Sequence, residues 1–405
     1  MNFWNQDILT ELSGVEKKQF LAKRRIVKQL YRNGSMSVAE LSKQLLLSTP
    51  TAVNYVNSLI EEGYIEEKGL GESIGGRKPM YYDLKPNSFY LLGIDVGRKG
   101  VKIALFSNKL ECFHKWEEKA FDLSEGENLI DLLETYVNEF VKETLIESSQ
   151  IVGVGLIMPG LIDSSKGVNY TFLKKESENL SEELSKRFNR PVFVENDAKA
   201  RALAELRYGT AQGSKNALVI FIGYGLGLGM ILNGKLHLGK SGFAGEFSHI
   251  PIENNRLFCN CGKTGCLETI ASGEALVRMA NEGIKKGMRT VLTDRLADGK
   301  TLLPEMIVEA ALAGDQLSFS VVNEVGVNLG RGIAYLVQIL NPDKIVLSGK
   351  VAEAGEFLIN SISQTLYQYC LPKLKEDVVI EMSTLGADAG IISAATLVME
   401  RVLEN

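Results

Sequence analysis

Three cysteines and a histidine stand close together at His249, Cys259, Cys261 and Cys266, spaced H-x9-C-x-C-x4-C. Three thiolates and one imidazole form a closed tetrahedral donor set, which suits structural zinc and leaves no open position for a reactive water. The Cys-x-Cys gap is tighter than the usual two to four residues, and buried free cysteines are the competing reading. Asn260, Gly262, Lys263 and Gly265 lie between the ligands and predict a compact loop that the metal holds in place. A second chemical signal is Asn196-Asp197, after the strand-like run Pro191-Val192-Phe193-Val194-Glu195 and before a helix that starts near Ala198. A carboxylate at a strand end can accept hydrogen bonds from hydroxyls or act as a general base. Capping the helix is the alternative role for Asp197. A third is Gly223-Tyr224-Gly225-Leu226-Gly227-Leu228-Gly229, where backbone amides could approach a phosphate or glycines could simply allow tight turns. Its spacing is not the dinucleotide fingerprint, and no helical pattern follows directly.

These residues need a scaffold, and the composition bounds it. The chain has 405 residues, 45% hydrophobic and 23% charged, the balance of an ordinary globular protein with two or three folding units. No apolar run reaches the roughly 18 residues of a membrane span, and the start lacks a basic-then-apolar leader layout, so a cytoplasmic protein without membrane contact is expected. Five cysteines are too few for a disulfide scaffold. The net charge is −5, yet residues 1–85 hold 12 Lys and Arg against 10 Asp and Glu, so only this segment invites a polyanion.

Residues 17–32 predict a helix with Lys17, Lys18, Lys23, Arg24, Arg25 and Lys28 on its exposed face and Phe20, Leu21, Ile26, Val27 and Leu30 as apolar positions. Ser37 and Glu40 have capping-box spacing and open a short helix through Leu45. Ser48, with Pro50 in the first turn, starts a third, whose apolar positions are Ala52, Val53, Val56, Leu59 and Ile60. Tyr64–Glu67 and Met80–Leu84 read as strands around a loop with Gly75-Gly76-Arg77-Lys78-Pro79. Three helices and a hairpin are the layout of a winged helix-turn-helix. Asn54 is the first candidate for base readout because an Asn can pair with both N6 and N7 of adenine, with Thr49, Thr51 and Tyr55 beside it. The third helix has no Lys or Arg, so phosphate contacts fall to the first helix and to Arg77 and Lys78, whose loop suits an A·T-rich minor groove. A small protein-binding helical module is the alternative.

Lys85-Pro86-Asn87 marks a boundary. Beyond it, apolar strand patterns at 89–95, 101–106, 152–157, 192–194, 217–222 and 344–347 alternate with helical stretches and imply an α/β fold of two lobes. The expected division is 1–85 for the DNA-binding domain, 86–200 with 391–405 packing back for a first lobe, and 201–390 for a second lobe with the metal.

From about residue 20 to 400 the chain resembles the ROK family (repressors, open reading frames and sugar kinases), in its winged-helix regulator branch. The resemblance rests on Gly245-Glu246-Phe247-Ser248-His249, Gly265-Cys266-Leu267-Glu268, Glu195-Asn196-Asp197-Ala198, Met158-Pro159-Gly160 and the glycine loop from Gly223. It implies an actin-like, ribonuclease-H-like sugar-kinase fold after the winged helix, with a sugar between two lobes. It also implies that Gly160, Asn196, Asp197, Glu246, His249 and Glu268 form the sugar site, with Asp197 as the general base in kinases. His249 could bind zinc through one ring nitrogen and a hydroxyl through the other. Departures concern ATP. Family kinases carry Asp-x-Gly-Gly-Thr where this chain has Asp95-Val96-Gly97-Arg98-Lys99, Gly-Thr-Gly where Tyr224 stands in the middle, and Gly-Gly where it reads Gly349-Lys350. The Asn-Leu-x-x-Trp stretch of the kinases has no counterpart in Tyr170-Thr171-Phe172-Leu173-Lys174-Lys175. The expectation is a sugar-responsive regulator, a repressor in the commoner case, with Asp197 a vestigial base and no nucleotide bound. It would set a homodimer, or a dimer of dimers, on an inverted-repeat operator and sense a sugar or sugar phosphate. A sugar kinase that keeps a DNA-binding arm is the alternative.

Overall fold

The computed structural model describes residues 4, 12–71, 78–123, 129–172, 179–296 and 301–403. Helix α1 (Gly14–Asn33) opens with a complete capping box between Ser13 and Glu16. β1 (Met36–Ser37) leads into α2 (Val38–Leu45), where Ser37 and Glu40 cap each other reciprocally. α3 (Thr49–Glu61) starts at the Ser48 cap with Pro50 in its first turn. β2 (Ile65–Leu70) and β3 (Met80–Leu84) complete the wing in a sheet ordered β1-β3-β2.

The basic face expected on α1 is only partly a surface. Lys23 and Arg24 are buried, because with Phe20 and Val27 they fall on the i, i+3, i+4, i+7 stripe that meets the core. Lys23 pairs with Glu62, and Lys28 donates to the Leu403 carbonyl at 3.0 Å. Lys17 and Lys18 remain exposed. Val53, expected inside, is 37% exposed.

Beyond a turn in which the buried Asn108 binds Lys85 O and Asn87 N come β4 (Tyr90–Val96), β5 (Gly100–Ser107) and β6 (Cys112–Ala120). They are followed by α4 (Leu129–Thr144), β7 (Ile151–Met158), the short pair β8 (Ile162–Asp163) and β9 (Val168–Asn169), α5 (Leu180–Phe188) and β10 (Val192–Asn196). The main sheet here is ordered β10-β7-β4-β5-β6. Next is α6 (Asp197–Tyr208), and then β11 (Ala217–Ile222), β12 (Leu226–Leu232) and β13 (Lys235–Leu236). Helices α7 (Glu268–Ala271), α8 (Gly273–Lys285), α9 (Leu292–Leu296), α10 (Pro304–Leu312) and α11 (Gln316–Leu340) follow. The chain continues through β14 (Lys344–Ser348), α12 (Glu356–Tyr369), α13 (Pro372–Asp377), β15 (Val379–Met382) and α14 (Ala389–Val402). The second large sheet is ordered β13-β12-β11-β14-β15.

The chain divides into two compact units, residues 1–195 with 391–405, and residues 196–390. The first includes the winged helix. One buried cluster joins Phe20, Val27, Leu41, Val56 and Leu59 of the winged helix to Phe89 and Leu91 of the first lobe and to Ala395, Val398 and Met399 of α14. Trp4 packs into the same cluster, its ring centroid 4.3 Å from that of Phe89 and 5.6 Å from that of Tyr64. The second unit has its own core around Ile220, Phe247, Leu267 and Ile333. Among the described residues no helix is long and apolar enough to cross a membrane.

Candidate functional site

In the second unit β12 is the platform on which the expected site residues meet. Leu226 donates its N–H to Glu268 Oε1 at 3.3 Å. Gly227 lies against Ala198 of α6, so close that a Cβ at 227 would stand 2.5 Å from the alanine Cβ. A Cβ on Gly245 would come within 2.7 Å of the Leu228 carbonyl. Three consecutive residues of one strand thus touch the segments that carry Glu268, Asn196-Asp197 and Glu246. Gly160 belongs to the other unit.

Asn196, not Asp197, is the N-cap of α6. Its Oδ1 accepts from the amides of Ala198 and Lys199 at 3.1 and 3.2 Å, and Asp197 sits in the first turn, with Oδ1 2.8 Å from Ala198 N. The open amides of a helix start favour a carboxylate there. Lys199, passed over in the sequence, is buried: its Nζ donates to the Gly242 carbonyl at 2.6 Å and stands 3.7 Å from Glu246 Oε1.

Glu246 and His249 flank Phe247, and Cys266 and Glu268 flank Leu267. Both apolar side chains seat on α11 at Gly332, where a Cβ would lie 2.5 Å from Leu267 Cδ2 and 2.9 Å from Phe247 Cζ. The absent side chain at 332 therefore lets the core grip two site segments at once. No chemical pattern in the sequence marks it.

The ligand atoms of His249, Cys259, Cys261 and Cys266 lie within 4.8 Å of one another. His249 Nδ1 is 3.7 Å from Cys259 Sγ, and the sulfurs of Cys261 and Cys266 are 3.6 Å apart. Tetrahedral bonds of about 2.3 Å place sulfurs about 3.8 Å apart, so the donor set fits one ion of zinc's size. Burial and the two neighbouring thiols push Cys266 up to about 12. A bound cation would reverse that, because metal ligation favours the thiolate. Nδ1 faces the thiols, which leaves Nε2 on the far side of the ring.

The glycine loop has structural partners on both sides. Gly227 and Gly229 admit α6, with Ala198 and Ala202 against them. The carbonyls of Gly223 and Tyr224 accept from the amides of Gly273 and Glu274 at the start of α8. Near the same loop the Phe221 ring lies against Gly223 and Gly349, and the Arg201 guanidinium stacks on it at 4.2 Å. Lys350 pairs with Glu353 at 3.0 Å. In the first unit Lys99 pairs with Asp122. Phe221 sits two residues before the glycine motif and Arg201 lies on α6, far from it in sequence, so neither was marked by the motif. Asn169 escaped as well, fully buried one residue before the unmatched stretch at Tyr170. Its Nδ2 donates to Pro159 O at 3.0 Å, and its Oδ1 accepts from Thr171 N at 2.9 Å, so it holds the Pro159-Gly160 turn.

On α3, Thr49 and Asn54 are exposed and Tyr55 is half-buried against the winged-helix core. The Thr51 hydroxyl is 2.7 Å from that of Ser48, within the cap. Val53 lies on the outer face beside Asn54. Lys78 is exposed, and Arg77 lies outside the described residues.

Two predictions follow from this geometry. Elemental analysis should find about one metal ion per chain, and Cys261→Ser should reduce that content severalfold; a metal-free protein with normal folding contradicts the donor-set argument. Gly332→Ala should cost about 1–3 kcal/mol in denaturant unfolding by overpacking Phe247 and Leu267. An unchanged midpoint contradicts the packing.

The chain has recognisable relatives. The ROK family model matches residues 91–401, and a winged helix-turn-helix DNA-binding model matches residues 22–66. A glucokinase of Halalkalibacterium halodurans is 35% identical over 77% of this chain and 96% of its own length. A xylose repressor of Caldicellulosiruptor bescii is 30% identical over 93% of this chain and 95% of its own. The crystal structure of a ROK family transcriptional regulator, homolog of the E. coli MLC protein, superposes with a TM-score of 0.79 at 29% identity, covering 95% of this chain and 96% of that one. The kinase relative covers a smaller share of this chain than the regulators do. The protein belongs to the ROK family and carries an N-terminal winged helix-turn-helix.

Proposed function

We propose that the protein is a sugar-responsive transcriptional repressor that binds operator DNA through α3 and senses a sugar at Asn196, Asp197, Glu246, His249 and Glu268. The observation that carries this reading is the junction of the DNA-binding module with the rest of its unit. The winged helix shares one apolar core with α14, and Arg32 of α1 pairs with Glu400 of that helix. Arg401, the next residue, reaches Glu195 at 3.3 Å, and Glu195 directly precedes Asn196. A ligand that repositions the start of α6 thereby has a short, charged route to the module. A differential affinity of about 1–3 kcal/mol is enough for a 5- to 150-fold change in operator binding.

Zinc is the metal that suits the Cys3His set, and it serves to orient His249, whose Nε2 meets a sugar hydroxyl. Kinase activity is lost: the Phe221–Arg201 stack and Tyr224 add bulk where a nucleotide's phosphates and base would need open backbone. The protein works in the cytoplasm as a homodimer, or a dimer of dimers, on an inverted repeat. The relationship to a glucokinase keeps one rival specific, a sugar kinase that uses Asp197 as general base.

One experiment separates the two. D-glucose, D-xylose and N-acetyl-D-glucosamine are tested for thermal stabilisation and for release of DNA, with and without ATP-magnesium. The expected outcome is stabilisation and release by a sugar alone. Phosphoryl transfer abolished by Asp197→Asn favours the kinase, and no response to any sugar defeats the sensor. On DNA, Asn54→Ala should weaken the cognate operator by about 1–3 kcal/mol with little effect on random sequence, and Lys78→Ala should weaken both evenly. Equal losses for Asn54→Ala on both DNAs contradict its role in base readout.

A further inference from the structure

We infer that Lys199 is a positioning residue of the effector site, its buried ammonium fixing the Glu246 carboxylate so that it accepts a hydrogen bond from a neutral sugar hydroxyl. This rests on the sugar-sensing reading above and adds a residue to it.

Lys199 is the third residue of α6 and only 2% exposed. Taking an ammonium out of water costs several kcal/mol unless an opposite charge and hydrogen-bond acceptors meet it. The Gly242 carbonyl takes one of its three N–H groups, and among the described residues Glu246 is the acid within 4.0 Å of it. Glu246 is placed differently. Its side chain is 39% exposed, so one carboxylate edge faces the buried cation while the rest stays accessible to a ligand. At 3.7 Å the two charges attract without a short hydrogen bond, which leaves the carboxylate oxygens free to accept from a sugar.

The location sharpens the role. Lys199 comes two residues after Asp197, on the helix whose cap is Asn196, and it reaches across to the loop of Gly242 and Glu246. It therefore links the two segments that supply most of the proposed sugar contacts. The segments that carry Asp197, Glu246 and Glu268 all touch β12, and like charges repel where such segments are brought together. One buried cation offsets part of that repulsion. As the metal site holds His249, Lys199 holds Glu246 three residues earlier.

A double-mutant cycle tests the assignment in the full-length, metal-loaded protein. Calorimetry gives the affinity of the wild type for D-glucose, D-xylose and N-acetyl-D-glucosamine, and the best binder is carried forward. Lys199→Met should weaken it about 10-fold, the scale of a hydrogen bond to a charged group. Glu246→Gln should weaken it similarly, and the double variant should be no weaker than Glu246→Gln alone. Lys199→Arg, which keeps the charge, should recover part of the loss. Wild-type affinity in Lys199→Met, or losses that multiply in the double variant, overturns the inference while leaving the sensor reading intact. If Lys199→Met does not fold, Lys199→Gln replaces it, keeping a donor for the Gly242 carbonyl; undiminished affinity there overturns the inference equally. A wild type that binds none of the three sugars defeats the sensor reading and this inference with it.

Discussion

The closeness of α6 to β12 governs the rest of the second unit. Ala198 and Ala202 pack on a strand stripped of side chains at Gly227 and Gly229, and a methyl group on either glycine would overlap them. Because the helix is so near, its third residue Lys199 reaches the loop of Gly242 and Glu246. A helix seated on ordinary strand side chains would stand off by more than the length of a hydrogen bond, and the polar groups would face water separately.

Much of this architecture was legible in the residues. The capping box at Ser37 and Glu40, the Ser48 start with Pro50, and the strands at 80–84 and 217–222 appear where patterns of local spacing put them. Local chemistry decides such features, and local chemistry is what a sequence displays. The features that escaped depend on partners far along the chain. Lys23 and Arg24 look like surface cations until Glu62 and the core that includes α14 are brought against α1. Lys199 reads as one more helix lysine, and only the fold supplies Gly242 and Glu246. Gly332 is silent for the same reason.

The glycine loop is the clearest lesson. Glycines invite two readings, close approach of a ligand or close approach of the protein itself, and spacing alone does not separate them. Here the neighbours of Gly227 and Gly229 are alanines of α6, and the carbonyls of Gly223 and Tyr224 serve the start of α8. In a family with both enzymes and regulators, such a loop has a structural duty whether or not it also meets a ligand.

The shared core of the first unit has a further meaning for how the molecule comes into being. Side chains of α14, from the last residues described, complete the hydrophobic interior beneath the winged helix. Contacts between residues separated by more than 350 positions form late, after the intervening chain has been synthesised. The apolar interior that the winged helix shares with α14 is therefore completed only once that helix has been made and has docked.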